Sequence, residues 1–169
     1  EDTTFNTFVY LTYEDKKICD QKTKEWQNTR GTKLKDKEEN LNNFDASIFT
    51  RSYPCEFVTE NVASRLIEQA DQQDLDDVSK INFLIAFVNS IPYEKEKENM
   101  DYWKTPYETL RDGTGDCEDA SFLLSELISQ AKFDSILVNY SGHMNVCAKT
   151  GKNAETYGMA GWQHNGINF

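Results

Sequence analysis

The most informative stretch of the chain is residues 115–131, GDCEDASFLLSELISQA. Apolar residues recur along it at every third or fourth position, which predicts an amphipathic helix with Cys117 in its first turn. Two runs typical of β-strands follow, Ser135–Tyr140 and Met144–Lys149, and His143 stands at the head of the second. This order predicts an α+β domain in which helices pack on an antiparallel sheet.

Apolar spacing predicts two further helices before this stretch. The first runs from about Thr59 to Gln72, and the second is capped by Asp77 and ends before Pro92. The second helix is apolar on nearly all sides, which favours burial. Pro106 marks the start of a third, shorter helix, because proline is well suited to a first helical turn.

The N-terminal third differs in composition. Phe5–Tyr13 is aromatic and β-branched and is predicted to form a strand. Residues 14–45 hold eight acids and eight bases with few apolar residues, which favours an exposed hairpin, helix or loop outside the core. We therefore divide the chain into an N-terminal strand with a charged extension, residues 1–55, and a core, residues 56–169. Ile167–Phe169 looks like the beginning of a further strand.

The chain has a formal net charge of −11, from 18 Lys and Arg against 29 Asp and Glu. This acid excess excludes a simple binder of nucleic acid or of an anionic membrane surface, because both need positive charge. The longest apolar stretch, around 81–91, is too short to span a membrane. The acid excess lies in 56–77 and 94–119, which predicts an acidic rim near Cys117. Such a rim suits a basic protein or peptide as target, and a solvated acidic face without a partner is the commoner alternative.

The four cysteines are Cys19, Cys55, Cys117 and Cys147, and none of them belongs to a CxxC pair. They are too few and too scattered for a disulfide scaffold or a zinc ribbon. Cys19 and Cys55 suit a disulfide in an oxidising compartment. Two separate, half-buried thiols are the equal alternative.

A thiol at a helix N-terminus is a candidate nucleophile. The helix dipole favours Cys117 as a thiolate, and an imidazolium from His143 would stabilise it further. The free N–H groups of the first turn also suit a developing oxyanion. The neighbouring Asp116, Glu118 and Asp119 oppose ionisation unless they turn outward or are hydrogen-bonded elsewhere. A buried structural cysteine that begins an amphipathic helix has the same spacing and is the alternative.

Three segments together resemble the transglutaminase-like superfamily, and in style its prokaryotic cysteine peptidases. They are WKTPYETL at 103–110, GDCED at 115–119 and SGHM at 141–144. The resemblance covers roughly Asp76 to Lys149. It implies a papain- or transglutaminase-like core in which the nucleophilic cysteine lies at a helix N-terminus.

The resemblance also implies chemical roles. Cys117 would attack an amide carbonyl and His143 would act as the base. The function that these roles imply is that of a thiol-dependent amide hydrolase or acyltransferase that acts on protein or peptide. Asp119 would bind backbone rather than react.

The other site residues implied by the resemblance are a cleft lining and a third catalytic member. Trp103 and Tyr102 would line the cleft with Asp116, and packing of the two aromatic side chains over the buried helix is the alternative. The family places an acid or an amide on the strand after the histidine, and the candidates here are Asn165 and Glu155. We expect a fragment that stops short of this acid. An asparagine in its place, or loss of the acid, are the alternatives.

A metal site is the weaker interpretation of the same residues. Cys147 shares a strand face with His143, so these two and Cys117 could bind a metal, but core packing of Cys147 is favoured. The run Asp112–Asp119 lacks the glycine and the glutamate that an EF-hand loop needs at their fixed positions. The sequence therefore predicts no cofactor, with calcium as the alternative.

Two functions from different classes remain open. The first is the thiol-dependent amidase. The second is a non-catalytic domain of the same fold that serves protein binding or self-assembly. The chain begins without an initiator Met, from which we expect an extracytoplasmic or cell-surface location.

Overall fold

The computed structural model describes residues 10–35, 48–51, 53–95, 102–140, 142–150, 163–164 and 167–168. Its helices are α1 (Tyr13–Lys35), α2 (Ile48–Arg51), α3 (Glu56–Gln72), α4 (Asp77–Asn89), α5 (Pro106–Asp112) and α6 (Cys117–Gln130). Its strands are β1 (Ser135–Tyr140), β2 (His143–Ala148), β3 (Gln163–His164) and β4 (Ile167–Asn168). The fold is mixed α+β, with helices packed on a small antiparallel sheet of β1 and β2.

Helix α6 lies at the centre of the described fold. It contacts α2, α3, α4, α5 and both strands of the β1–β2 hairpin. Its apolar stripe places Leu123, Leu127 and Ile128 in a core shared with α3 and α4. The predicted helix is confirmed, and it begins at Cys117 as expected.

The β1–β2 hairpin follows α6 directly. Its strands pair antiparallel, with Tyr140 opposite His143 and Ser135 opposite Ala148. Both predicted strands are confirmed, and the second begins one residue early, at His143. The strand expected at the C-terminal end also forms, because Ile167–Asn168 pairs antiparallel with β3.

The prediction of an N-terminal strand is wrong for the part of Phe5–Tyr13 that the structure describes. Tyr10–Thr12 is irregular and Tyr13 opens α1, whereas Phe5–Val9 lies outside the described residues. Thr12 caps the helix, because its Oγ1 accepts the N–H of Asp15 at 3.0 Å. A cap of this kind satisfies a backbone donor that a helix start otherwise leaves free, so the local capping outweighs the β propensity.

The charged segment is not outside the core, which corrects the second N-terminal expectation. Cys19, Thr23 and Gln27 are buried, and their spacing of four residues forms one narrow stripe along α1. Two of these residues are polar, so the stripe leaves no apolar periodicity in the sequence. The acids and bases on the other faces of α1 are balanced in number, so the sequence showed no sign of this buried stripe.

A disulfide joins Cys19 in α1 to Cys55 at the start of α3, which decides between the two alternatives for these cysteines. Helix α3 begins directly after the bridge at Glu56, three residues earlier than predicted. The side chains packed around the bridge include Tyr53, Val58 and Tyr107.

Helix α4 corrects two details of the prediction. Its cap is Asp76 rather than Asp77, because Oδ1 of Asp76 accepts the N–H of Ser79 at 2.9 Å. The helix is not buried on all sides, since Asn82 and Ala86 are exposed. The buried side is formed by Val78, Ile81, Leu84 and Val88.

Two glycines fix the loop between α5 and α6. Helix α5 opens with a capping box between Thr105 and Glu108 and ends at Gly113, whose φ of 67° is the left-handed conformation that glycine adopts without strain. At Gly115 a Cβ would lie 2.8 Å from the Cβ of Asp119, so a larger residue does not fit. This close approach sets the position at which α6 begins.

Candidate active site

The Cys117 thiol is partly buried at the first residue of α6. Its Sγ donates a hydrogen bond to Oε2 of Glu118 at 2.8 Å. Burial raises the pKa of the thiol, the bond to Glu118 raises it further, and the Met144 N–H beside the sulfur lowers it. The net shift of the pKa is upward, so Cys117 rests as a neutral thiol.

His143 lies at the same edge of the fold. The next residue, Met144, has its N–H at the Cys117 sulfur and its carbonyl accepts the hydroxyl of Ser121 in α6 at 3.0 Å. The His143 side chain is exposed. Between these two described residues, no hydrogen bond joins the imidazole to Sγ. The structure therefore brings Cys117 and His143 near one another without pairing them.

The remaining free cysteine, Cys147, lies on the same face of β2 as His143. Met144 and Val146 pack in the core, so strand alternation places His143 and Cys147 on the opposite face of β2. Over the ranges that the structure describes, no group of three or more His, Cys, Asp or Glu side chains could hold a metal. Cys117, His143 and Cys147 do not form such a group.

The acids around the thiol have different partners. Asp119 is buried, and its carboxylate accepts the N–H of Lys104 at 2.7 Å and the N–H of Asp116 at 3.3 Å. Asp116 caps α6 by accepting the N–H of Asp119 at 3.4 Å. These two carboxylates are held by backbone, whereas Glu118 turns towards the thiol. The opposition to thiolate formation that the sequence suggested comes chiefly from Glu118.

Burial raises the pKa of both backbone-bound acids. The pKa of Asp119 rises to about 7 through burial, with the charge of Asp116 adding to the effect. The pKa of Asp116 rises to about 6 through burial and the charge of Glu118. The negative charge beside Cys117 therefore grows as the pH passes from below 6 to above 7.

Tyr93 is a site residue that the sequence reasoning missed. It follows α4 and forms an isolated parallel bridge with Gly115. The N–H of Glu94 donates to the Gly115 carbonyl at 2.9 Å, and the Gly115 N–H donates to the Pro92 carbonyl at 3.3 Å. Gly115 lies two residues before Cys117, so the bridge connects Tyr93 to the segment that carries the nucleophile candidate. The Tyr93 side chain is 68% exposed.

The phenol of Tyr93 lies close enough to sense the charges of the site. Desolvation raises its pKa, and negative charge at Cys117, Asp116 and Glu118 raises it further. An exposed aromatic residue directly after a helix-ending Ile-Pro pair was a visible signal. Its partner was not visible, because the bridge joins residues 22 positions apart.

Trp103 and Tyr102 have structural contacts on the far side of α6. The Trp103 ring lies 5.7 Å from the ring of Phe49 and 5.5 Å from that of Phe122. The Tyr102 hydroxyl donates to the carboxylate of Glu108. These contacts favour the packing alternative for the two aromatic residues.

The two candidates for a third catalytic member, Glu155 and Asn165, lie outside the described residues.

The comparisons with known proteins add nothing to the resemblance. No family model, curated protein or solved structure matches this chain. In the part of the chain that the structure describes, no helix has both the length and the apolar character needed to cross a membrane.

The Glu118→Gln variant is expected to make Cys117 more reactive. The substitution removes the negative charge that favours the protonated thiol, so the pKa of Cys117 falls and the thiolate fraction at pH 7 rises roughly 3- to 10-fold. The rate of alkylation by iodoacetamide, followed by mass spectrometry of the labelled peptides, measures this change. Cys147 is the internal control. An unchanged or slower rate at Cys117 would contradict the role of Glu118.

Stability is expected to increase as the pH falls from 8 to 5. Asp119 and Asp116 have pKa values of about 7 and 6 in the folded chain against 3.8 when unfolded, so the native state binds more protons in this window. Stability is then lost as the pH rises. Partly buried Glu56 and buried Glu126, whose pKa values are also raised, act in the same direction. Melting temperatures at constant ionic strength measure the effect.

The matched control for the pH profile is Asp119→Asn. It removes the Asp119 carboxylate, whose pKa is about 7, while keeping the side-chain shape. Its melting temperature should vary less between pH 5 and 8 than that of the wild type. A wild-type melting temperature that rises steadily from pH 5 to pH 8 would show that the predicted direction of the pH dependence is wrong.

Proposed function

We propose that the chain is a thiol-dependent amide hydrolase or acyltransferase that acts on protein or peptide, with Cys117 as nucleophile and His143 as base. The proposal includes a papain- or transglutaminase-like arrangement of the core. One observation carries it: the Cys117 sulfur lies at the capped N-terminus of α6 against the N–H of the residue that follows His143. A thiol in this position has helix-terminal amides on one side, and the backbone that carries His143 lies on the other.

The reaction would proceed through an acyl-enzyme. The imidazole of His143 takes the proton from Sγ of Cys117, and the thiolate attacks the amide carbonyl carbon. The C–N bond then breaks, and the imidazolium returns its proton to the departing amine. Water, deprotonated by the imidazole, attacks the thioester and restores the thiol in a hydrolase. An amine takes the place of water in an acyltransferase.

Two donors are available for the oxyanion of the tetrahedral intermediate. The backbone N–H of Cys117 belongs to the first turn of α6, where amides have no intrahelical acceptor. The hydroxyl of Tyr93 is the second candidate, because a backbone bridge joins Tyr93 to Gly115, two residues before Cys117. Donors fixed before the reaction stabilise developing charge without reorganisation.

The resting arrangement sets a requirement on this mechanism. The thiol proton points to Glu118, so His143 must displace that hydrogen bond before the thiol reacts. The exposed imidazole at the first residue of β2 can rotate about its side-chain bonds. Rotation of the imidazole to the sulfur would activate the thiol in the free protein as well as in the substrate complex.

The second candidate function is a non-catalytic domain used for protein binding or assembly. A specific observation favours it: the thiol has an upward-shifted pKa and is bonded to an acid instead of a base. A domain that had lost its chemistry would tolerate such an arrangement. The two candidates predict opposite behaviour of Cys117 towards electrophiles.

Alkylation by iodoacetamide between pH 5 and 9 tests the proposal. For an enzyme, Cys117 should react faster than Cys147 at pH 7, and His143→Ala should abolish the difference. Equal rates for the two thiols at every pH would overturn it.

Turnover provides the second arm of this test. A mixture of peptides is incubated with the protein in the presence and absence of a primary amine, and mass spectrometry detects cleavage, deamidation or amine transfer. Cys117→Ser should lose all three activities, whereas Cys147→Ser should keep them. Activity retained by Cys117→Ser would reject Cys117 as the nucleophile.

The same proposal extends to partners and location. The acidic groups beside Cys117 support a basic substrate, because Asp116 and Glu118 have no cationic partner in the described ranges. The Cys19–Cys55 disulfide supports an extracytoplasmic or cell-surface location, because disulfides persist in oxidising compartments.

A further inference from the structure

A cavity of about 170 Å³ lies between the C-terminal end of α4 and the start of α6. Its lining includes Gly115 and Asp116, the two residues that directly precede Cys117. At about 30 Å³ per water the space holds roughly five waters. It is smaller than pockets for drug-sized ligands, which measure about 300–1,000 Å³. The size suits one amino-acid side chain.

One wall of this cavity is apolar. Val88 and Ile91 come from the end of α4, and Ala120 comes from the first turn of α6. Such a wall contacts methylene groups favourably and offers no hydrogen bonds to a short polar side chain. The occupant therefore has an aliphatic part.

The opposite part of the lining attracts positive charge. Asp116 contributes a carboxylate that is ionised above its pKa of about 6. No Lys, Arg or His of the described ranges pairs with it. Val88, Asn89 and Ile91 lie at the C-terminal end of α4, where the helix dipole and the last carbonyl groups favour a cation.

The N-terminus of α6 acts in the opposite sense, because its dipole repels cations. Acidic groups already meet this positive end, since Asp116 caps the helix and Glu118 and Asp119 occupy its first turn. Three carboxylates outweigh a dipole equivalent to about half a charge. The field at the cavity is therefore negative above neutral pH.

We propose that this cavity binds a lysine side chain of the substrate next to the scissile amide, with the methylene chain on the apolar wall and the ammonium at Asp116. The inference rests on the proposed function, because it takes Cys117 as the reacting atom. Lysine suits the space better than arginine, since its ammonium is compact and its stem is unbranched. Such a site would give the protein a preference for cationic substrates.

Two peptide vinyl sulfones that differ only in one side chain test the inference. Acetyl-Ala-Lys vinyl sulfone and acetyl-Ala-norleucine vinyl sulfone have the same methylene stem, and the second lacks the ammonium. The Cys117 thiolate adds to the vinyl carbon β to the sulfone, and a proton goes to the carbon α to the sulfone, so no group leaves. The rate of Cys117 labelling by the lysine probe is expected to exceed that of the norleucine probe about tenfold.

Two variants locate the effect in the cavity. Asn89→Lys introduces a cation at its exposed rim and should remove the preference for the lysine probe, whereas the matched variant Asn89→Gln should keep it. Ala120→Leu fills the apolar wall and should slow both peptide probes more than it slows iodoacetamide.

The outcomes separate the two proposals. Equal rates for lysine and norleucine probes, a faster arginine probe, or a preference unaffected by Asn89→Lys would overturn the lysine site while Cys117 remains reactive. Failure of every electrophile, iodoacetamide included, to label Cys117 faster than Cys147 would overturn the proposed function and this inference with it.

Discussion

Reduction of the Cys19–Cys55 disulfide is expected to lower the free energy of unfolding by about 4 kcal/mol. The bridged residues are 36 positions apart. The chain-entropy relation for a loop of that length yields this value, because the bridge removes conformations from the unfolded chain. For a protein of 169 residues the corresponding fall in Tm is roughly 8–16 °C.

Besides the bridge, α1 is attached by the Trp26 ring, which packs on Phe49, and by several polar bonds. Asp20 accepts hydrogen bonds from the Tyr107 hydroxyl at 2.9 Å and from Nη1 of Arg111 at 3.0 Å. Nε2 of Gln27 donates to the buried carboxylate of Glu108 at 2.9 Å. Such bonds contribute about 1 kcal/mol each, so they do not replace the bridge. We expect α1 to loosen first when the disulfide is cut.

Urea unfolding of the Cys19→Ser/Cys55→Ser double variant measures the loss. Cys147→Ser is the control, because it removes a thiol without touching the bridge. A loss below about 1 kcal/mol would contradict the entropic argument. The alkylation rate of Cys117 in the double variant then reports whether a loosened α1 disturbs the site.

Asp119→Ala is expected to cost about 2–3 kcal/mol and to disorganise the start of α6. The carboxylate is buried and accepts the N–H groups of Lys104 and Asp116. Alanine leaves both donors without their partner, and the incoming segment before α5 loses its attachment to α6. The loss is greatest near pH 5 and smaller above pH 7, because the burial cost of the ionised carboxylate then offsets part of it.

Asp119→Asn is the matched variant, and it should lose about half as much as Asp119→Ala. Its amide oxygen can still accept the N–H of Lys104, but its NH₂ group cannot accept the N–H of Asp116. Urea unfolding at pH 5 measures both losses, and alkylation of Cys117 reports the local effect. Equal losses for the two variants would show that the hydrogen bonds to the carboxylate are not the cause.

Local patterns predicted the central elements well. The apolar stripe after Cys117, the β-branched runs of the hairpin and the Thr105–Glu108 capping box each contain their own structural information within a few residues. Burial of α6 and pairing of β1 with β2 follow from these patterns because a helix stripe and a strand face both need a partner surface. The same reasoning failed for α1, whose buried stripe of Cys19, Thr23 and Gln27 is mostly polar.

The candidate site divides in a similar way. Cys117 at a helix start and His143 at a strand start were visible as single positions. The partner of each was not visible, because a hydrogen bond depends on which way a side chain turns. The sequence placed Asp116, Glu118 and Asp119 together beside the thiol, but only the structure separates two that bind backbone from one that binds sulfur.

The sequence by itself determined the α6 helix, the hairpin that follows it and the position of a thiol at the helix start, because each depends on neighbours within one or two turns. Only the tertiary structure decided the Cys19–Cys55 bridge, the Tyr93–Gly115 bridge and the bond from Cys117 to Glu118. The two bridges bring distant segments together, and the bond depends on burial, which sets how strongly a charge acts on the thiol. Packing therefore decides the protonation of Cys117, although the sequence had already fixed its place.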